Sequence, residues 1–75
     1  MPRKFIYLNL EAEIIRAELT REKLAELMNI SIQTLKNKLA NNTEFTLSET
    51  QEIKTILSDR LDQDLSIEYL FKTKD

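Results

Sequence analysis

Two amide side chains at helical spacing are the residues of this chain best suited to chemistry. Gln33 and Asn37 stand one helical turn apart within NISIQTLKNKLANN, residues 29–42. Each carboxamide carries a hydrogen-bond donor beside an acceptor, so each can pair with a ligand that offers the reverse pattern. No Asp or Glu occurs between residues 27 and 43, although the chain is acidic overall. This distribution indicates a partner that disfavours negative charge.

Residue types that most enzymes need are missing. The chain has neither cysteine nor histidine. It therefore offers no thiolate nucleophile, no imidazole base, no disulfide and none of the usual zinc ligands. Asp59, Asp62 and Asp64 have the alternate spacing of a calcium loop, but the glycine and the distal Glu of such a loop are absent, so solvated acids are the simpler interpretation. We expect no enzyme activity, no metal and no other cofactor.

Composition predicts one small folded domain, residues 1–75. Hydrophobic residues make up 41% and charged residues 32% of the chain, a balance typical of globular proteins. The net charge is −2, but residues 1–45 carry seven basic and six acidic groups, whereas residues 46–75 carry four and seven. The apolar run in MPRKFIYLNL is too short for a signal peptide or a membrane span, so we expect a cytoplasmic protein.

The elements that position these residues are short helices, because the chain has no glycine and its one proline is at position 2. We predict about five helices, each starting at a side chain that can accept a free amide hydrogen: Asn9, Thr20, Ser31, Thr46 and Ser66. Thr46 with Glu49 fits a capping box. Apolar residues at helical spacing predict the buried faces: Leu10, Ile14, Ile15, Ala17 and Leu19; Leu24, Ala25 and Met28; Leu35 and Leu39; Ile53, Ile56 and Leu57; Ile67, Leu70 and Phe71.

The second and third predicted helices are separated by three residues, which is too short for an antiparallel hairpin. Asn29 can end one helix in the left-handed conformation, Ile30 needs burial, and Ser31 starts the next helix. Ala25 is small enough to let the two helices pass closely. This pattern predicts a steep crossing of the kind found in a helix-turn-helix.

The outer face of the third helix is polar and lacks acid. If Leu35 points inward, Gln33 and Asn37 point outward, and they are flanked by Thr34, Lys36, Ala40 and Asn41. A helix in the DNA major groove should avoid carboxylates because phosphates repel them, except where one reads cytosine. Gln and Asn can each pair bidentately with adenine, and Ile32 can contact a thymine methyl group.

Three stretches, TREKLAELMNISIQTLKNKL, EFTLSETQEI and LSIEYLF, together resemble the lambda-repressor-like helix-turn-helix proteins, or xenobiotic response element family. Within that family they are most similar to short phage-type repressors of Gram-positive bacteria. Two positions depart from the family pattern: Asn29 stands where Gly is usual, and Arg21 where Gln is usual. The segment between Leu57 and Ser66 is also longer than the family's turn.

The resemblance implies an all-α domain with its helix-turn-helix at residues 20–41. It further implies a sequence-specific transcriptional regulator, repressor-like or Cro-like, that binds double-stranded operator DNA and no small molecule. By resemblance, the backbone contacts fall on Arg21, Ser31, Asn42 and Thr43, with Thr34, Lys36 and Lys38 as further candidates. A module this small buries little DNA surface, so we expect a homodimer on two half-sites.

Alternatives remain open from the residues alone. The face around Gln33 could be ordinary solvated surface, and Arg21 could bond to Glu18 or Glu22 instead of a phosphate. Arg3 and Lys4 could belong to an N-terminal arm within residues 1–8, with 72–75 as a charged tail. Tyr7, Tyr69, Phe5 and Phe71 could form a satellite core or a partner-binding patch. The rival function is a protein-binding adaptor or antitoxin-like module with the same fold.

Overall fold

The structure, a computed structural model, describes residues 6–73. That part of the chain is all-α, as predicted, and contains no strand. Its five helices are α1 (Leu8–Arg16), α2 (Arg21–Met28), α3 (Ile32–Leu39), α4 (Leu47–Leu61) and α5 (Ile67–Leu70). No helix in the described residues is both long and apolar enough to cross a membrane.

Four of the five predicted N-caps are confirmed. The side chains of Thr20, Ser31, Thr46 and Ser66 each accept the amide hydrogen three residues further on, at 3.0–3.2 Å. The capping box is complete, because the Thr46 amide donates to Glu49 Oε1 at 2.9 Å. Each such cap stabilises its helix by about 1 kcal/mol.

The prediction that Asn9 caps α1 is wrong. Helix α1 follows Tyr7, whose side chain makes no cap, and Asn9 lies inside the first turn. The side-chain amide of Asn9 instead donates to the Tyr69 backbone carbonyl oxygen at 2.9 Å. Buried Tyr7 sets where the chain enters the helix, so residues 6–8 are not a free arm; Arg3 and Lys4 lie outside the described residues.

The buried face of α1 is narrower than predicted. Leu10, Ile14 and Ala17 are buried, but Ile15 is 73% exposed, so the prediction that it widens the apolar face is wrong. The reason is that the buried face extends from Ile14 toward Glu13, which is 3% exposed, and so turns Ile15 on the opposite side to solvent.

Helix ends use left-handed residues other than glycine. Glu18, Asn29, Asn41 and Asp62 have φ angles of 58°, 60°, 63° and 53°. At Asn29 the arrangement is the predicted one: its amide donates to the Glu26 carbonyl and the Ile30 amide to the Ala25 carbonyl, both at 3.0 Å. Helix α4 runs on into the polar segment DRLDQD and ends at Asp62.

All five helices contribute to one core. Its six fully buried large side chains are Leu10, Leu24, Leu35, Ile53, Leu57 and Leu70. Beside them Tyr7, Phe45 and Phe71 pack edge to face, with ring centroids 5.1–5.8 Å apart. Of the four aromatic residues considered above, Tyr7 and Phe71 belong to this cluster, and Phe45 was not among them. Tyr69 is 40% exposed, and Phe5 lies outside the described residues.

Candidate functional site

The turn between α2 and α3 brings the predicted packing residues together. Only residues 29–31 separate the two helices. Ala25 is 2% exposed, Leu35 is fully buried, and Ile30 packs partly buried against the core. Because Ala25 is almost completely buried, a larger side chain there is expected to force α2 away from its neighbours. Burial of Leu35 and Leu39 sets which side of α3 faces solvent.

The surface of α3 that faces away from Leu35 and Leu39 carries the predicted amides. Gln33 is exposed, Asn37 is half-buried, and Gln33 Nε2 donates to Asn37 Oδ1 at 3.2 Å. Lys36 is exposed and has no ion-pair partner among residues 6–73. We call Gln33, Lys36 and Asn37 the amide face. Ile32 is half-buried and packs against the core, so only part of its side chain is free for a ligand.

The start of α3 is bonded internally. Ser31 Oγ accepts the Thr34 amide at 3.0 Å and donates to Thr34 Oγ1 at 2.8 Å. Ser31 is exposed and Thr34 half-buried. The cap satisfies one of the free amides of the first turn, and those that remain can bind an anion.

The loop after α3 is anchored to the amide face through the backbone. The Asn42 and Thr43 amides both donate to the Asn37 carbonyl, at 2.9 and 3.4 Å, while their side chains stay exposed. Asn41 turns the chain in the left-handed conformation and accepts the Tyr7 hydroxyl at 3.5 Å. The last turn of α3 and the exposed polar loop therefore form one continuous surface.

Arg21 is occupied by an acid that the sequence analysis did not consider. Its Nη2 donates to Glu11 Oε2 at 2.9 Å, and neither Glu18 nor Glu22 is its partner. Arg21 and Glu11 join the starts of α2 and α1, with side chains 22% and 14% exposed. A phosphate would therefore meet a guanidinium that is already partly neutralised.

Lys38 lies between α3 and α4 and not on the amide face. Its Nζ is 2.9 Å from Glu49 Oε1, donates to the Glu44 carbonyl at 3.1 Å, and lies 6.0 Å from the centre of the Phe45 ring. Its side chain is 12% exposed. Lys38, which we predicted to contact the DNA backbone, is therefore already bonded within the fold.

Glu49 has an altered acidity as a result. Burial alone would raise the pKa of its carboxyl, but the Thr46 amide and the Lys38 ammonium together hold that pKa below the ordinary value of 4.5. The carboxylate therefore stays ionised and, through Lys38, holds the last turn of α3 to the start of α4.

Comparisons with protein-family models, curated proteins and solved structures find no match. The resemblance to the lambda-repressor-like family stays a prediction. The geometry of the residues themselves is what bears on function.

One buried carboxylate, Glu13, was not predicted from the sequence. Glu13 accepts Arg16 Nη1 at 2.8 Å and the Tyr69 hydroxyl at 2.7 Å, which links α1 to α5. The bond to Glu13 raises the pKa of Tyr69, with burial adding to the rise. Position 13 falls three residues after Leu10 and four before Ala17, so the helical pattern could have placed it on the buried face. Because both carboxylate oxygens of Glu13 are bonded within the fold, we assign Glu13 and its partners Arg16 and Tyr69 a structural role.

Proposed function

We propose that this chain is a sequence-specific DNA-binding transcriptional regulator of the phage-repressor or Cro type. The observation that supports it best is the amide face: exposed hydrogen-bonding groups and one lysine on a short helix, within a stretch that contains no carboxylate. In this proposal residues 20–41 form a helix-turn-helix, and α3 enters the major groove of operator DNA. In the groove, side chains of α3 contact the edges of the bases, as in other proteins that read DNA with a helix.

The proposed roles follow from what each side chain is free to do. Gln33 and Asn37 contact base edges, and the exposed part of Ile32 meets a thymine methyl group. Ser31, Thr34, Lys36, Asn42 and Thr43 contact phosphates or sugars at the two ends of α3. Arg21 keeps guanidinium hydrogens that Glu11 does not use, so it can bond a phosphate as well. Lys38 acts indirectly, by holding the loop after α3.

The remaining parts of the proposal concern the molecule as a whole. We propose a cytoplasmic, non-enzymatic protein that needs no cofactor and binds its operator as a homodimer. Two copies on half-sites about one helical turn apart would supply the affinity that a domain of this size lacks. Sedimentation of the protein with a bound duplex tests the stoichiometry: two chains per duplex are expected, and one chain would contradict the dimer.

Salt dependence tests whether DNA is the partner. Fluorescence anisotropy with mixed-sequence duplexes should show binding at about 0.05 M salt, with log K falling linearly with log salt by about 0.9 for each phosphate neutralised. Lys36→Ala should make that slope shallower by about 0.9, the value for one phosphate contact. Lys54→Ala, the same change on α4 at a lysine 3.8 Å from Asp64, is the control. Absence of binding at low salt would contradict the proposal.

A second candidate is a protein-binding adaptor or antitoxin-like module. It is favoured by the ion pairs of Arg21 and Lys38, which remove charge from a DNA contact, and by the exposed side chains of Ile15 (73%) and Leu47 (69%). An apolar protein contact should persist or strengthen as salt rises, which is the reverse of the behaviour expected with DNA.

A further inference from the structure

The hydrogen bond between Gln33 and Asn37 leaves the two amides in unequal positions. Gln33 Nε2 is the donor and Asn37 Oδ1 the acceptor, at 3.2 Å. The Gln33 side chain is thereby left with one Nε2 hydrogen and Oε1, neither of which has a partner among residues 6–73. A donor beside an acceptor on one amide is the pattern that pairs with N7 and N6 of adenine.

Asn37 is the better anchored of the two residues. It is half-buried, whereas Gln33 is exposed. The backbone carbonyl oxygen of Asn37 accepts hydrogen bonds from the backbone amides of Asn42 and Thr43, which fixes the backbone of the last turn of α3. Asn37 Oδ1 therefore projects from a fixed stretch of backbone, and it is the acceptor toward which the Nε2 end of the Gln33 amide turns.

Resting on the proposed function, we propose a narrower role for Asn37 than a direct base contact: Asn37 is a positioning residue, and Gln33 is the residue that reads adenine. An acceptor at position 37 draws Nε2 of Gln33 toward it and leaves Oε1 free to accept the N6 hydrogen of adenine. A donor at position 37 would turn the amide over and occupy Oε1. Adenine preference should therefore depend on whether residue 37 accepts or donates a hydrogen bond, and not on its charge.

Two substitutions separate orientation from electrostatics, because the one expected to lower affinity keeps the base preference and the one expected to raise affinity loses it. Asn37→Asp keeps an acceptor but adds negative charge near phosphates, so it should weaken binding while the adenine preference stays within about threefold of the wild type. Asn37→Lys offers only donors and adds positive charge, so it should strengthen binding while the preference falls by roughly 5- to 150-fold. Gln33→Ala should lose the same preference.

The experiment is selection of bound duplexes from a randomised library with the whole chain, followed by measurement of base preference at each position of the enriched motif. Gln63→Ala, the same loss of an exposed amide in the turn after α4, is the control and should leave the motif unchanged. Circular dichroism melting of each variant shows whether it is folded at the selection temperature.

The outcomes are distinguishable. If the wild-type chain enriches no sequence at all, the proposed function fails and this inference fails with it. If a motif is enriched but Asn37→Asp loses its adenine, or Asn37→Lys retains it, DNA recognition stands and the positioning role of Asn37 is overturned. A wild-type motif in which Gln33→Ala changes no adenine would likewise overturn the inference alone.

Discussion

Arg21 shows how one neighbouring acid sets the charge that a residue presents. Glu11 Oε2 lies 2.9 Å from its Nη2, so much of the positive charge at the start of α2 is neutralised within the fold. In the proposed function Arg21 meets a phosphate only in competition with Glu11. Glu11→Gln should therefore raise DNA affinity at low salt and steepen the dependence of log K on log salt by up to about 0.9.

The control for that prediction is Glu26→Gln. It removes the same charge from α2 at an exposed residue paired with Lys23 at 2.9 Å, and it should alter the salt slope less. Anisotropy titrations at several salt concentrations give both slopes. An unchanged or shallower slope for Glu11→Gln would show that Arg21 does not contact phosphate.

Helix ends in this chain carry a conformational cost, because every left-handed residue has a Cβ atom. Glu18 is the least suited of the four, since Asn and Asp tolerate that conformation better. Glu18→Gly should stabilise the protein by about 1 kcal/mol, as measured by urea unfolding followed by circular dichroism. Glu22→Gly, in the first turns of α2, should destabilise it by a similar amount. Destabilisation by Glu18→Gly would contradict the left-handed end of α1.

The start of α4 should give the protein a defined sensitivity to acid. The folded pKa of Glu49 lies below its ordinary value of 4.5, so its stabilising contribution is present above pH 4.5 and is lost as the pH falls through the lower folded pKa. Glu49→Gln should therefore cost about 1 kcal/mol at pH 7 and little at pH 2, in urea unfolding at both values. The same change at exposed Glu52 should cost little at either pH. An equal cost of Glu49→Gln at both pH values would contradict the ion pair with Lys38.

At the scale of the whole molecule, Tyr69 closes the fold by joining α5 to α1. Its hydroxyl donates to Glu13 at 2.7 Å, and Tyr69→Phe should cost about 1 kcal/mol in urea unfolding at pH 7. Because that bond raises the pKa of Tyr69, its contribution is present below pH 10 and is lost as the pH rises through the folded pKa. Tyr7→Phe, which removes a hydroxyl bonded at 3.5 Å, should cost less. Equal costs of Tyr69→Phe and Tyr7→Phe would contradict a stabilising hydrogen bond between Tyr69 and Glu13.

The features that the sequence predicted are those decided within one helical turn. The caps at Thr20, Ser31 and Ser66 and the left-handed Asn29 each depend on hydrogen bonds between residues three to five apart. Helix periodicity likewise placed Leu35 inside and Gln33 outside.

Contacts between helices were not predictable in the same way. Arg21 found Glu11 ten residues away, and Tyr69 found Glu13 at a separation of 56. These partners depend on how the helices pack, which no local pattern encodes. The same packing moved Asn9 from a cap to a bond with α5 and placed Lys38 beside Glu49, so the number of free cations near α3 was overestimated.

The most direct measurement of the central claim is selection of bound duplexes from a randomised library at about 0.15 M salt, with the Gln33→Ala, Asn37→Ala double variant run beside the wild type. We predict that the wild type enriches a two-fold-related motif containing adenines, and that the double variant loses or relaxes it. Circular dichroism should show both proteins folded. A wild type that enriches no motif, or a double variant that enriches the same one, would contradict the claim that α3 reads DNA.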